Sequence, residues 1–160
     1  MIIIIIACII AGSMLYYTKS KKHCIPFTLD YAGVPVITLM IDNDTYQFMV
    51  DTGSSHSSIM KRVVTQLNMP IQNLKGSGIS FNGITRNLQC CYLTFHFDSI
   101  FYIEGFMIIP EQQEYALNET NVSTGYSIAG ILGSDFLKKY GWVIDYRKSI
   151  IYNKCKRKKL

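Results

Sequence analysis

From Met1 to Tyr17 the chain carries no charged side chain; Ile2 to Ile6 are unbroken, and Tyr16 and Tyr17 close the run before Lys19, Lys21 and Lys22. Continuous apolar character with an aromatic edge and a basic stop predicts a transmembrane helix at the short end of the spanning range. The charge follows the apolar run instead of preceding it, which argues against a cleaved signal peptide. By the positive-inside rule, the bulk of a chain anchored in this way, single-pass, faces the cytoplasm. Residues 18–33 then read as a basic juxtamembrane linker and a first strand.

Beyond the anchor the pattern changes to short β-rich runs separated by turn residues, which predicts a mostly β domain over 34–153 with a basic tail over 154–160. Val36 to Ile41 and Thr45 to Val50 read as two strands joined at Asp42-Asn43-Asp44, a hairpin that delivers Asp51 at its end. Val63, Val64 and Leu67 at helical spacing, with Pro70 beyond as a stop, predict a short helix from Lys61 to Leu67. Asn82-Gly83, flanked by Ile79-Ser80-Phe81 and Ile84-Thr85, predicts a second hairpin with a two-residue turn. Leu88 to Phe97 and Phe101 to Ile109 read as long strands, and Glu111 to Ser127 as an exposed polar loop. A short helix from Ser134 to Tyr140 follows Ile131-Leu132-Gly133, and a last hairpin joins Trp142–Asp145 to Ser149–Tyr152.

A chain of 160 residues fits one ordinary domain. The formal charge of +5 raises the possibility of nucleic acid, so the placement of the sixteen Lys and Arg matters. Lys19, Lys21 and Lys22 flank the anchor, and Lys154, Lys156, Arg157, Lys158 and Lys159 form the tail. The middle of the chain holds eight basic against eleven acidic residues, a net of −3, which speaks against nucleic-acid binding and for basic ends near anionic headgroups. A basic tail also serves as a simple solubilising terminus. Five cysteines, two of them adjacent (Cys90 and Cys91) and so pointing opposite ways in a strand, make no disulfide framework; reduced or buried thiols are expected. His23, His56 and His96 are scattered and no CxxC pair exists, so the sequence offers no zinc-ligand spacing, and no metal or other cofactor is expected.

The candidate chemistry lies in Phe48-Met49-Val50-Asp51-Thr52-Gly53-Ser54-Ser55. A carboxylate at the end of an apolar strand is costly unless hydrogen-bonded, so Asp51 is more informative than an exposed Asp. Thr52 can bond backbone or a symmetry mate, Gly53 permits a tight turn, and the Ser54 hydroxyl can donate to the carboxylate. Taken alone, Asp-Thr-Gly reads as an ordinary strand-to-turn exit, for which Asp, Gly and Ser are the expected residues.

The order hairpin, apolar-apolar-Asp-Thr-Gly-Ser, helix, Gly-rich hairpin, then Ile131-Leu132-Gly133 and a short helix resembles the retropepsin-like aspartic protease family over Val34 to Tyr152, and its bacterial membrane-anchored members in particular. The resemblance implies a closed β-barrel-like acid protease fold with one or two short helices. It implies Asp51 as the catalytic aspartate, with Thr52, Gly53 and Ser54 supporting it and Leu132-Gly133 packed beside the active-site loop. It places Gly78, Ile79, Ser80, Phe81, Asn82 and Gly83 in a substrate-covering flap. Many members carry Arg before the Asp of the final helix, whereas Ser134 precedes Asp135 here, so the subunit contacts are expected to differ. His56 has no role in the resemblance and reads as an exposed loop histidine, a pH-sensing neighbour of Asp51 being the alternative.

The chain has one Asp-Thr-Gly and no Asp-Ser-Gly, while the family mechanism uses two facing carboxylates, so the expected active form is a homodimer with one Asp51 from each subunit. The expected activity is endopeptidase cleavage of peptide segments bound as added strands. The alternative is a catalytically silent, membrane-tethered peptide-binding or dimerisation module of the same fold.

Overall fold

The computed structural model describes residues 22–80, 83–97, 100–114 and 125–154. The predicted anchor over 1–17 and the tail beyond residue 154 lie outside them; among the described residues no helix is long and apolar enough to cross a membrane. The strands are β1 (Lys22–Pro26), β2 (Thr28–Leu29), β3 (Pro35–Ile41), β4 (Asp44–Val50), β5 (Ser58–Met60), β6 (Gln72–Asn73) and β7 (Ser77–Ser80). They continue with β8 (Gly83–Arg86), β9 (Gln89–Phe97), β10 (Ile100–Ile109), β11 (Ile128–Leu132), β12 (Trp142–Asp145) and β13 (Ile150–Lys154). Two short helices, α1 (Lys61–Gln66) and α2 (Ser134–Tyr140), follow β5 and β11.

The β3–β4 hairpin turns on Asp42 and Asn43, whose φ values of 49° and 70° belong to a primed two-residue turn matching the twist of the strands. Strands β3, β4, β11, β5, β10 and β9 follow one another in the sheet, and pairing of Met40 in β3 with His96 in β9 closes them into a barrel. Alternation along β9 turns Cys91, Leu93, Phe95 and Phe97 inward and leaves Tyr92 and Thr94 exposed. Inside, the Phe95 ring packs on Phe97, Tyr102, Phe106 and Phe136, so one side chain joins the β9–β10 hairpin to α2. Such aromatic contacts are worth about 0.5–1.5 kcal/mol each beyond area burial. Strands β1, β13 and β12 form a separate terminal sheet, and β7–β8 a third.

Cys90 and Cys91 are both buried free thiols, in keeping with the expected reduced or buried thiols. Cys24 is an exposed free thiol. Gly83 pairs with Ser80 and so begins β8 one residue earlier than a turn at Asn82-Gly83 requires; Phe81 and Asn82 lie outside the described residues. The segment after Pro110 opens with a 3₁₀ turn at Glu111–Gln113 and then buries Glu114, which accepts the Arg62 backbone N–H at the start of α1.

The most demanding packing lies at β11, which runs between β4 and β5, parallel to the first and antiparallel to the second. A Cβ on Gly130 would stand 2.3 Å from the Ser58 carbonyl oxygen and 2.6 Å from the Phe48 ring. Gly130→Ala must therefore displace backbone and is expected to destabilise the fold by about 3 kcal/mol, the upper end for overpacking; urea denaturation of the two proteins checks this. Burial pushes the Cys91 thiol up to about 11, with Cys90 adding to the rise and Lys61 opposing it. Because the thiolate is the reactive form, alkylation of the folded protein at pH 8 should modify Cys24 and spare Cys91 until denaturant is added, as peptide mapping would read.

Candidate active site

Strand β4 is apolar through Phe48 and Val50, both buried, and the chain leaves the barrel at Asp51. The exit is fixed by backbone bonds: the Asp51 N–H donates to the Leu132 carbonyl at 3.1 Å, and the Ser54 N–H donates to the Asp51 carbonyl at 3.2 Å. The half-buried Asp51 side chain accepts the Gly53 N–H on Oδ1 at 2.8 Å, leaving Oδ2 without a protein partner among the described residues. A Cβ on Gly53 would lie 3.2 Å from that same Oδ1, so glycine keeps the turn close to the carboxylate. Thr52 and Gly53 are exposed beside it.

Leu132 and Gly133 end β11, both buried, and flank the Asp51 loop. A Cβ on Gly133 would meet the His56 carbonyl carbon at 2.6 Å and the Ser57 nitrogen at 2.9 Å, so this crossing also excludes any larger residue. The Ser134 N–H donates to the Ser54 carbonyl at 2.8 Å. The Ser54 hydroxyl, expected on Asp51, donates to the His56 carbonyl at 2.8 Å, because the tight turn brings that oxygen within its reach. His56 is exposed, and its ion-pair partner is Asp135, with Nδ1 3.9 Å from Oδ2, not Asp51.

Two residues that carry the loop escaped the sequence reading. Ser57, 1% exposed, donates its N–H to Asp135 Oδ2 and its hydroxyl to Asp135 Oδ1, each at 2.8 Å, and its Oγ accepts the Gly133 N–H at 3.0 Å. Asp135 thus holds the far end of the Asp51 loop to α2 with both oxygens. The available signal was Asp135 in the first turn of a predicted helix; nothing in the run Ser54-Ser55-His56-Ser57-Ser58 distinguishes the buried serine from its neighbours.

The candidate flap residues divide among the strands. Gly78, Ile79 and Ser80 lie in β7 and Gly83 in β8, a hairpin outside the barrel sheet. Beside the loop an open groove of about 700 Å³ runs past Thr52, Ser134, Leu137, Val143, Ile144 and Tyr146. Trp142 borders it, its buried Nε1–H without an acceptor among the described residues. No group of His, Cys, Asp and Glu among the described residues is placed to hold a metal ion.

No protein-family model and no curated protein matches the sequence. Solved structures do match. A retropepsin-like aspartic protease from Rickettsia conorii superposes with a TM-score of 0.56 at 16% identity, covering 83% of this chain and 91% of its own. The fold is that of the retropepsin-like aspartic proteases. A retroviral protease-like domain of Ddi1 from Leishmania major (15% identity, TM-score 0.48, covering 72% of this chain and 84% of that one) is also similar. So is EIAV protease complexed with an inhibitor (18% identity, TM-score 0.48, covering 71% and 94%). Within this retropepsin-like fold the buried Ser57 is expected to matter far more than its exposed neighbour. Ser57→Ala leaves the buried Gly133 N–H unpaired and removes one of the two donors to Asp135 Oδ1, which keeps the Phe136 N–H, and should cost about 1–3 kcal/mol. Ser55→Ala should stay within about 0.5 kcal/mol of wild type. Thermal unfolding of the two variants tests the contrast.

Proposed function

We propose that this chain is an aspartic endopeptidase that works as a homodimer, each subunit supplying one Asp51, tethered to a membrane through residues 1–17. The observation that carries the reading is the Asp51 turn: an apolar strand delivers a carboxylate to the barrel's edge, one oxygen held by the Gly53 N–H and the other without a partner among the described residues. The adjoining groove supports a second copy. It is apolar through Leu137, Val143 and Ile144, contains Thr52 of the Asp51 loop, and runs along β12, the edge strand of the terminal sheet. A two-fold axis there would put the same residue of each subunit at the centre.

In this mechanism the two carboxylates share a proton, since like charges about 3 Å apart resist ionising together. The ionised member takes a proton from water as its oxygen attacks the peptide carbonyl carbon, and the protonated member donates to the carbonyl oxygen. Collapse of the tetrahedral intermediate breaks the C–N bond, and the departing nitrogen takes a proton. No covalent enzyme intermediate forms. The β7–β8 hairpin offers an extended peptide the backbone groups of a sheet edge.

Asp51→Asn is expected to keep the fold and lose peptide cleavage to background, read by unfolding curves and peptide hydrolysis on the same preparation. Co-assembly of equal amounts of wild-type and Asp51→Asn chains leaves both aspartates in about one quarter of randomly paired dimers. Activity per total protein should follow that square law across mixing ratios. A straight line under demonstrated subunit exchange would rule the shared site out, and full activity of the Asn variant would rule Asp51 out.

A further inference from the structure

Strand β12 ends the terminal sheet: β13 pairs with one side of it, and no described strand pairs with the other. An open edge of this kind presents unpaired backbone groups to any strand that can lie beside it. The apolar rows of the sheet also run out here. On the face toward the core, Ile25, Ile151 and Ile144 stand in cross-strand register, the first two buried and Ile144 only half-buried at the edge. On the other face Val143 is 46% exposed. The Phe136 ring stacks on Trp142, which sets α2 on the core face of β12, and the groove alongside contains Thr52 of the Asp51 loop. The open edge is therefore continuous with the candidate catalytic loop.

What the site lacks names the occupant. Each chain has one Asp-Thr-Gly, so a carboxylate dyad is incomplete without a second copy of this chain. Both Asp51 loops must then lie on one face of a shared sheet, and a two-fold axis perpendicular to that sheet keeps them there. Such an axis pairs β12 antiparallel with itself. Directly opposed residues share a face, and faces alternate along a strand, so the axis falls on a residue and not between two. A centre at Asp145 sets two carboxylates against each other, and one at Ile144 sets Asp145 against the apolar Val143. A centre at Trp142 slides Ile144 past the strand to Tyr140 of α2. A centre at Val143 opposes Val143 to itself and Trp142 to Ile144, so these pairs are all apolar and the half-buried Ile144 is covered.

We infer that β12 pairs antiparallel with β12 of a second copy about a two-fold axis at Val143, joining two three-stranded terminal sheets into one with both Asp51 loops on the same face. The pairing deepens the homodimer reading above and rests on it. The test uses the full chain with phosphatidylcholine vesicles, with Cys8, Cys24 and Cys155 replaced by Ser so that the buried Cys90 and Cys91 are the remaining native thiols. Directly opposed Cα atoms of an antiparallel pair lie about 4.5–5.5 Å apart, within reach of a disulfide. Val143→Cys should therefore give a disulfide-linked dimer under mild oxidation. Ile144→Cys, displaced along the strand from its own copy, and Asp145→Cys should not. Preferential linkage at residue 144 or 145, or equal linkage of all three, would overturn the register. A second measurement uses no thiol chemistry: energy transfer between chains carrying fluorophores at the C-terminus. Val143→Asp and Val143→Lys should each lose the transfer seen for the wild type and regain it when mixed, because an axis at residue 143 sets like charges opposite in each and unlike charges in the mixture. If either charged variant pairs alone, or the mixture does not pair, the inference fails. Peptide cleavage separates the two readings. A linked Val143→Cys dimer that cleaves nothing keeps the pairing and removes the endopeptidase, whereas cleavage that obeys the square law without linkage at Val143 keeps the endopeptidase and removes the pairing.

Discussion

The passage of β11 between β4 and β5 is the constraint on which the site depends. Both neighbours must be contacted at once, and at Gly130 and Gly133 the backbones approach so closely that a methyl group would enter the main chain of residues 56–58. This closeness lets the Leu132 carbonyl reach the Asp51 N–H and the Gly133 N–H reach the Ser57 hydroxyl. A wider crossing would leave the Asp51 loop tied only by its own turn. The loop is instead bonded at its start by Leu132, in its middle by Ser134 and at its end by Asp135, three consecutive attachments to one strand-to-helix junction. Placement of catalytic groups within a fraction of an ångström demands supporting shells of this kind.

Much of this was legible because it depends on local patterns. The β3–β4 hairpin follows from two alternating runs around residues that tolerate positive φ, and α2 from a short amphipathic segment closed by Gly141 in the left-handed region. The position of Asp51 at the end of β4 was legible from the apolar run before it and the turn residues after it. What escaped requires contacts between residues far apart in sequence. Ser57 looks like the three serines around it until Asp135, on another element, is brought against it. The β7–β8 register, which pairs Gly83 with Ser80, depends on the whole hairpin and not on the Asn-Gly preference alone.

Electrostatics divides the molecule in the same way. The middle of the chain is net negative and the ends strongly positive, a division that composition alone averages to +5. The pairing of β1 with β13 sets Lys22 opposite Lys154, at the two ends of the described residues.

A tether changes what the groove beside Thr52 must accomplish. A freely diffusing chain needs an interface strong enough to overcome the entropy lost on pairing, and an area the size of this groove does not by itself guarantee that. Two chains held to one surface, as a tether through residues 1–17 would hold them, meet at a much higher effective concentration, so a weaker interface would suffice. That relaxes the demand on Ser134, which has no long cationic arm with which to reach across a subunit boundary, and leaves Asp135 free to serve the loop of its own chain. In the homodimer proposed above, each subunit would shape its own Asp51 loop through the Asp135–Ser57 clamp before pairing, and pairing would supply the second carboxylate.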